Sequence, residues 1–510
     1  MARALLRRRL LVLALNATTI TALCAIMLTI LMSGGISITE VVMLVTFLVT
    51  LPWLSIGFWN AIIGLTIVAR GASANDPLKI AETGGPITKR TAIVMALRNE
   101  AVDEALPRVR AMYDKLVASG LGDVFDVHVL SDTNEPATAA REEAFVAAWR
   151  ADSERAGQIF YRRRADNTGY KAGNIGEFVD RCADQYEYFM TLDADSYVEP
   201  ALLARLVRMM DAEPGIGILQ TLAVGMPSGS FFTRVFQFGM RHGMRAYTHG
   251  AVWWSGDCGP YWGHNALIRT VPFRDHCRLP ILPGDGPLGG HIMSHDQVEA
   301  VMMRRAGYPV RVLVEEGESF EENPPTLPDF IRRELRWCQG NMQYFSLLGM
   351  DGLKPMSRMQ LFLAILMYCA PAAWIAFMVA GVAGMFVGGV TIPGTEGAEV
   401  PAWLGYAMLG LVLFMNFAPK ILGVVSVLLN RRTAAQYGGR PRVLAGAAVE
   451  LMVSMLMAPV VAFAIAIFAA GLVFGRKIDW RAQPRGGRTV DRDEAGRAVA
   501  PHTLLGRARC

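Results

Sequence analysis

None of the seven cysteines stands in a CxxC pair, and their number is odd. Cys24, Cys182, Cys258, Cys277, Cys338, Cys369 and Cys510 therefore supply no disulfide framework and suit reduced thiols. Cys258, His264, His276 and Cys277 match no common zinc-finger spacing. Between residues 70 and 359 there is neither a GxGxxG nor a GxxxxGK[ST] segment, which disfavours a dinucleotide fold and a P-loop ATPase. No internal repeat appears, and the polar tail after Arg476 is the single low-complexity candidate. Charge of one sign is also scarce. Fifty Lys and Arg face 45 Asp and Glu, and a net +5 does not argue for nucleic acid.

What the chain has is apolar residues. They make up 52% of it, with a mean hydropathy of +0.29, high for a soluble protein. Leu10–Met32 and Val41–Ala69 each reach the ~20 residues a spanning helix needs. The first is too long for a cleaved signal, and no small-residue cleavage site precedes the second. Apolar runs resume at Gln360–Val390, Trp403–Asn430 and Val443–Gly475. The expected layout is two spans in 1–69, a polar domain in 70–359, a second membrane region in 360–475 and a tail in 476–510.

Arg3, Arg7, Arg8 and Arg9 precede the first span, whereas the loops 33–40 and 391–402 hold no Lys or Arg. By the positive-inside rule the N-terminus and the large domain face the cytoplasm, as does the loop 430–442 with its four arginines. Glu450 and Pro459 interrupt the last apolar run, which predicts an interfacial or re-entrant path that keeps the arginine-rich tail on the same side. Lys420 and Glu450 would also suit an ion path, so a transporter is the non-enzymatic alternative.

Within 70–359, the β-rich runs Thr91–Leu97, Asp126–Asp132, Gln158–Arg163, Glu187–Asp195 and Gly215–Thr221 alternate with helix-compatible stretches. These stretches are Asp103–Ser119, Thr138–Asp152, Ala172–Asp184 and Pro200–Asp211. Alternation of this kind predicts a parallel sheet with crossover helices, whose ligands bind outside the carboxyl ends of the strands. Polar groups collect at those ends, in "RNE" (Arg98–Glu100), "SDTNE" (Ser131–Glu135) and "DADS" (Asp193–Ser196). Placed on a strand, Asp193 and Asp195 would share a face and repel one another unless a cation lay between them. Two readings stand. They are oxygen ligands for Mg2+ or Mn2+ shared with a diphosphate, or they cap the helix that starts near Pro200.

The order "LDADS", "LQTLA", "SHDQVEA", "RRELRW" resembles the processive, membrane-embedded inverting glycosyltransferases of family 2, which include the cellulose synthases. "NTGYKAGNI", "YWGHNALIR", "SHDQVEAVMMRRAGYPV" and "RRELRWCQGNMQY" are similar to the glucans biosynthesis glucosyltransferase H subgroup, which makes a β-1,2-glucose backbone of osmoregulated periplasmic glucans. The likeness spans roughly Arg90–Arg485. It implies an α/β GT-A-type (Rossmann-like) cytoplasmic domain inserted between transmembrane helices of a bacterial inner membrane. UDP-glucose would be the donor, a β-glucan the acceptor, and Mg2+ or Mn2+ the cofactor.

By the same resemblance Asp296 is the base and Asp193 and Asp195 hold the metal. Glu100, Asp132, Lys171, Asp193, Arg333 and Arg336 surround the donor, and Gln220, Thr221, His264, Asn265 and Trp337 serve the acceptor. Arg333 and Trp337 also share a helical face by their spacing, with a guanidinium for diphosphate oxygens and an indole for a sugar ring. Two departures separate the chain from the cellulose synthases, Arg333 where they have glutamine and QTL where they have QTP. "WRAQPRGGR" stands where the larger family has a gating loop. Left open are a β-1,4 or β-1,3 product, transport of the polymer, and a periplasmic glucan-processing protein or acyl carrier protein as partner.

Overall fold

The computed structural model describes residues 2–32, 36–71, 79–386 and 400–478, with a few positions between 490 and 496. Helices α1 (Ala2–Leu31) and α2 (Ile38–Arg70) come first. The polar domain follows as β1 (Thr91–Leu97), α3 (Val102–Ala118), β2 (Phe125–Ser131), α4 (Pro136–Asp152), β3 (Ile159–Arg163), α5 (Tyr170–Cys182) and β4 (Tyr188–Leu192). It continues through β5 (Ser196–Val198), α6 (Pro200–Ala212), β6 (Ile218–Thr221), β7 (Val224–Gly225), α7 (Phe231–Ser255), β8 (Ala266–Arg269) and α8 (Thr270–His276). It closes with α9 (His295–Arg305), β9 (Val310–Leu313), β10 (Ser319–Glu321) and α10 (Leu327–Met342). Last come α11 (Pro355–Phe386), α12 (Ala402–Leu429), α13 (Arg431–Gln436) and α14 (Arg440–Val473).

Seven strands form one sheet in the order β3-β2-β1-β4-β8-β6-β9. The expected parallel crossovers hold for β1 with β2 and β4, and for β2 with β3. The sheet is nevertheless mixed, because β8 runs antiparallel to both β4 and β6. Apolar residues every third or fourth position make α3 a one-sided helix, with Val102, Leu106, Val109, Tyr113 and Leu116 buried against the sheet. Proline at the first turn of α4 and α6 starts those helices without losing a needed N–H.

Among the described residues five helices, α1, α2, α11, α12 and α14, are long and apolar enough to cross a membrane. The last of them is one continuous helix of 34 residues, so its backbone is not re-entrant. Arg440 Nε donates to Leu428 O at the end of α12 (3.1 Å), while Ile465, Phe468 and Leu472 pack with Leu361 and Tyr368 near the start of α11. Beyond it, Lys477 Nζ reaches Asp285 O (2.6 Å) and Ile478 N reaches Gln339 Oε1 (2.9 Å), both in the polar domain.

In the middle of β2, His128 is sealed between Phe160 and Tyr186, and its Nε2 meets Tyr186 Oη at 2.9 Å. Burial, with the positive charges of Arg162 and Arg90, pushes its pKa down to about 3. A folded pKa below the free value of about 6.5 means the unfolded chain takes the proton first as pH falls. The stabilisation is therefore whole above pH 6.5 and is lost between there and about 3. The domain's unfolding temperature should fall across that window, and His128→Gln should flatten the fall by up to about 1.4 kcal/mol per pH unit. A variant as acid-sensitive as the parent would contradict this.

Candidate active site

Strands β1, β2 and β4 end along one edge of the sheet, at Leu97, Ser131 and Leu192, and the loops after them open into one cavity. The cavity measures about 1850 Å³ and continues from these loops past α7, α9 and α10 to residues of α2, α11, α12 and α14. On its wall stand Glu100, Asp132, Lys171, Asp193, Asp195, His264, Asp296, Arg333, Arg336 and Trp337. Gln220, Thr221 and Asn265 do not reach it.

Strand β4 stops at Leu192, so Asp193 and Asp195 lie in the turn between β4 and β5 rather than on one strand face. The cation expected beside them is partly supplied by the protein. Lys171, in the first turn of α5, forms an ion pair with Asp193 and also donates to Gly263 O (2.8 Å). Gly169, at φ 71, makes the left-handed turn that delivers Lys171 there, a conformation cheap only for glycine. Among the described residues no group of three or more His, Cys, Asp or Glu side chains is placed to hold a metal ion. A cation at Asp193 and Asp195 would thus need oxygens from a ligand, which is the ordinary coordination of Mg2+ with substrate phosphates.

The loop from Trp262 to Asn265 forms the next wall, and three of the residues expected to touch acceptor act on it from behind. Gln220 is fully buried; its Oε1 accepts from Trp262 N (2.9 Å) and its Nε2 donates to His264 O (3.0 Å). Thr221 Oγ1 donates to Asn265 O (2.7 Å), and Asn265 Nδ2 donates to Ser319 Oγ and Phe320 O (both 3.0 Å). Held this way, the loop turns His264 into the cavity, with Nε2 at 3.1 Å from Glu321 Oε2 and Nδ1 at 3.3 Å from Ser196 Oγ. Burial alone would lower the imidazole pKa. The Glu321 hydrogen bond and charge, helped by Asp193, outweigh it and raise the pKa to about 9, so His264 is a cation at neutral pH.

Asp296 sits in the first turn of α9, against Gly263. A Cβ on Gly263, whose φ is +82, would come 3.4 Å from Asp296 Cβ, so Asp296 and the lysine-bearing side of the site meet at this glycine. The Asp296 side chain makes no hydrogen bond or ion pair among the described residues. The start of α9 is pinned by α10 and the turn after it, since Gly340 presses directly on Ser294 and Tyr344 Oη donates to Ser294 O (2.8 Å). Asp132, 7% exposed, takes a bidentate Arg164 fork (2.7 and 2.8 Å) and keeps only its remaining lone pairs for a ligand. Arg333 lies over the Trp337 ring at 4.5 Å, with Phe330 at 5.4 Å and Phe236 at 5.7 Å, so guanidinium and indole form one stack.

Several wall residues were not among those expected. Arg98 follows β1 in the "RNE" stretch and lines the cavity, as do Tyr170, His291 and Glu321. The i,i+4 pair His295–Glu299 in "SHDQVEA" is visible in the sequence. Lys420 and Glu450, the basis of the transporter alternative, pair with each other at 2.5 Å and with Ser454, and they line this same cavity. The "WRAQPRGGR" stretch lies outside the described residues.

Residues 92–277 match the family described as glycosyl transferase family 2, and 188–419 match glycosyl transferase family group 2. The chain is 36% identical to glucans biosynthesis glucosyltransferase H of Bradyrhizobium diazoefficiens, over 93% of this chain and 64% of that one. Against proteins of the same name from Cupriavidus pinatubonensis and Caulobacter vibrioides the identities are 36% and 35%, over 93% of this chain and 56% and 73% of theirs. The chain thus spans between about half and three quarters of these relatives' length. A solved structure, mannosyltransferase PcManGT from Pyrobaculum calidifontis in complex with GDP-Man and Mn2+, is similar over 81% of this chain and 99% of that one. Its identity is 16% and its TM-score 0.49.

Replacing Gln220 with leucine strips buried partners from Trp262 N–H and His264 C=O. The expected result is a loss of about 1–3 kcal/mol in stability together with collapse of nucleotide-sugar turnover. Full turnover in a Gln220→Leu protein would show that the loop does not depend on this side chain.

Proposed function

The chain belongs to the family of the glucans biosynthesis glucosyltransferases H within the family 2 glycosyltransferases, and we propose on that premise that it lengthens a β-glucan by inverting transfer from UDP-glucose. The product we propose is β-1,2-linked, and the catalytic domain, residues 70–359, lies on the cytoplasmic side of a bacterial inner membrane. The observation that carries this reading is the convergence at Gly263, where Lys171, paired with Asp193, and the open carboxylate of Asp296 approach from two sides of one cavity.

Inverting transfer is a single in-line displacement at the anomeric carbon. Asp296 accepts the proton of the attacking hydroxyl as the new glycosidic bond forms, and the bond to the diphosphate breaks on the opposite face. Lys171 and the guanidinium of Arg336 meet the developing charge on the diphosphate, with Glu100, Asp132 and Arg98 around the nucleotide. Asp193 and Asp195 would hold Mg2+ or Mn2+ jointly with the diphosphate, and that ion would neutralise the leaving group. Trp337, stiffened by Arg333, offers a flat apolar face to a sugar ring. Gln220, Thr221 and Asn265 shape the loop that carries His264 and do not contact sugar.

Labelled UDP-glucose with Mg2+, followed by linkage analysis of any polymer, tests this directly. Asp296→Asn should lower transfer by about 10²–10⁴-fold. Chelation should abolish transfer, and added Mg2+ or Mn2+ should restore it in the parent but not in Asp195→Ala. A polymer of another linkage would keep the reaction and change the product, whereas Asp296→Asn at parental rate would remove the site assignment.

A further inference from the structure

Asp296 has a neighbour the mechanism above leaves unused. His295 lines the same cavity although it is only 9% exposed, and its Nδ1 meets Glu299 Oε2 at 2.9 Å, one turn along α9. Glu299 is 3% exposed and does not line the cavity, so it acts on the imidazole from behind. The other ring nitrogen, Nε2, has no partner among the described residues. The start of this helix is fixed, because Ser294 is clamped between Gly340 and Tyr344.

The proton count on this pair decides what Nε2 offers. Burial lowers the His295 pKa, but the Glu299 carboxylate more than compensates and raises it; Glu299 is itself raised by burial. With a hydrogen on both ring nitrogens Nε2 donates, and with the one hydrogen held on Nδ1 by Glu299 it accepts. In either form the Asp296 carboxylate and the His295 ring stand on the same cavity wall. A pair of adjacent hydroxyls on a pyranose is complementary to that combination, one hydroxyl giving its proton to Asp296 and its neighbour hydrogen-bonding His295 Nε2, since a hydroxyl both donates and accepts.

Resting on the reading in the preceding subsection, we propose that His295, oriented by Glu299, binds the hydroxyl adjacent to the attacking one and so selects which hydroxyl of the acceptor sugar reacts. His295 is then a specificity-determining residue, and Glu299 a positioning residue that acts through it. A lone base could deprotonate any hydroxyl brought near it, whereas two fixed contacts define an orientation of the ring.

The test uses the full chain in detergent with UDP-glucose and a short β-1,2-glucan oligosaccharide, reading nucleotide release, transfer and linkage together. His295→Leu should raise the KM for the oligosaccharide about ten- to a hundredfold. It should also raise the ratio of donor hydrolysis to transfer and introduce linkages absent from the parent product. His295→Gln keeps an N–H at similar reach and should recover most of the acceptor affinity, and Glu299→Gln should fall between the two. A His295→Leu protein with the parental KM and linkage overturns the proposal. So does one in which hydrolysis and transfer fall in equal proportion with a lowered unfolding temperature, since that is the signature of a purely structural role. A parent chain that turns over no nucleotide sugar removes the functional reading itself, and the proposal with it.

Discussion

Lys171, Asp193 and Asp296 belong to segments far apart in the chain, and the loop Trp262–Asn265 is the piece of backbone on which they meet. Its carbonyl at Gly263 receives the lysine, and its missing Cβ admits the aspartate. A side chain at Gly263 would face two penalties at once, a positive φ and a contact with Asp296. The loop can hold that shape because Gln220 satisfies an N–H and a C=O that no strand partner reaches. Buried amide groups without partners cost free energy of the order of a lost hydrogen bond. The glutamine is thus a condition for the site although it touches no part of the cavity.

The same economy of partners joins the polar domain to the apolar helices. Helix α7 lies against α2, α12 and α14 where glycine removes the side chain from one partner: Gly64 abuts Ala246, Gly250 abuts Asn60, and Gly423 abuts His242. Asn60, buried in α2, accepts from Trp254 Nε1 at 2.8 Å, so a polar group among apolar residues is satisfied across the interface. Farther on, Asp257 takes Arg9 of α1 on one oxygen and Arg304 of α9 on the other, each at 2.7 Å. The helix that begins with His295 and Asp296 is therefore tied at its far end to the first apolar helix. Rigid attachment of this kind suits chemistry in which small misplacements of the acceptor are costly.

Apolar runs of strand length announced β1 to β4 and β6 within a few residues, since β1, β2, β4 and β6 are buried on both faces and are rich in Val, Ile, Leu and Phe. Strand β8 escaped this logic. It is only four residues long, follows the 25-residue α7, and pairs antiparallel in the middle of the sheet. The two aspartates were legible as a pair but not as a turn, because the spacing of residues does not say where β4 ends. Likewise the Gln-Thr segment was recognisable, while its burial depended on hydrogen bonds to a loop more than 40 residues away. The His295–Glu299 pair was within reach of sequence reasoning, since i,i+4 residues on a helix face one another. Its meaning required knowing which side of α9 the cavity occupies.

Charge gives the last constraint on the site. Asp193, Asp195, Asp296 and Glu321 all stand on the cavity wall, and the cations Lys171, His264 and Arg333 stand among them. Two of these three cations are already engaged, Lys171 by Asp193 and His264 by Glu321. Arg333 is turned onto aromatic faces. On the proposed function, a nucleoside diphosphate brought into this setting adds negative charge beside Asp193 and Asp195, with Arg98 and Arg336 on the same wall to meet it. Like charges at such short range disfavour one another strongly once water is excluded. Displacing Lys171 from Asp193, or bringing a divalent ion along with the diphosphate, would relieve that repulsion. Doing both is consistent, because a lysine released onto the phosphates leaves Asp193 open beside Asp195 for the ion.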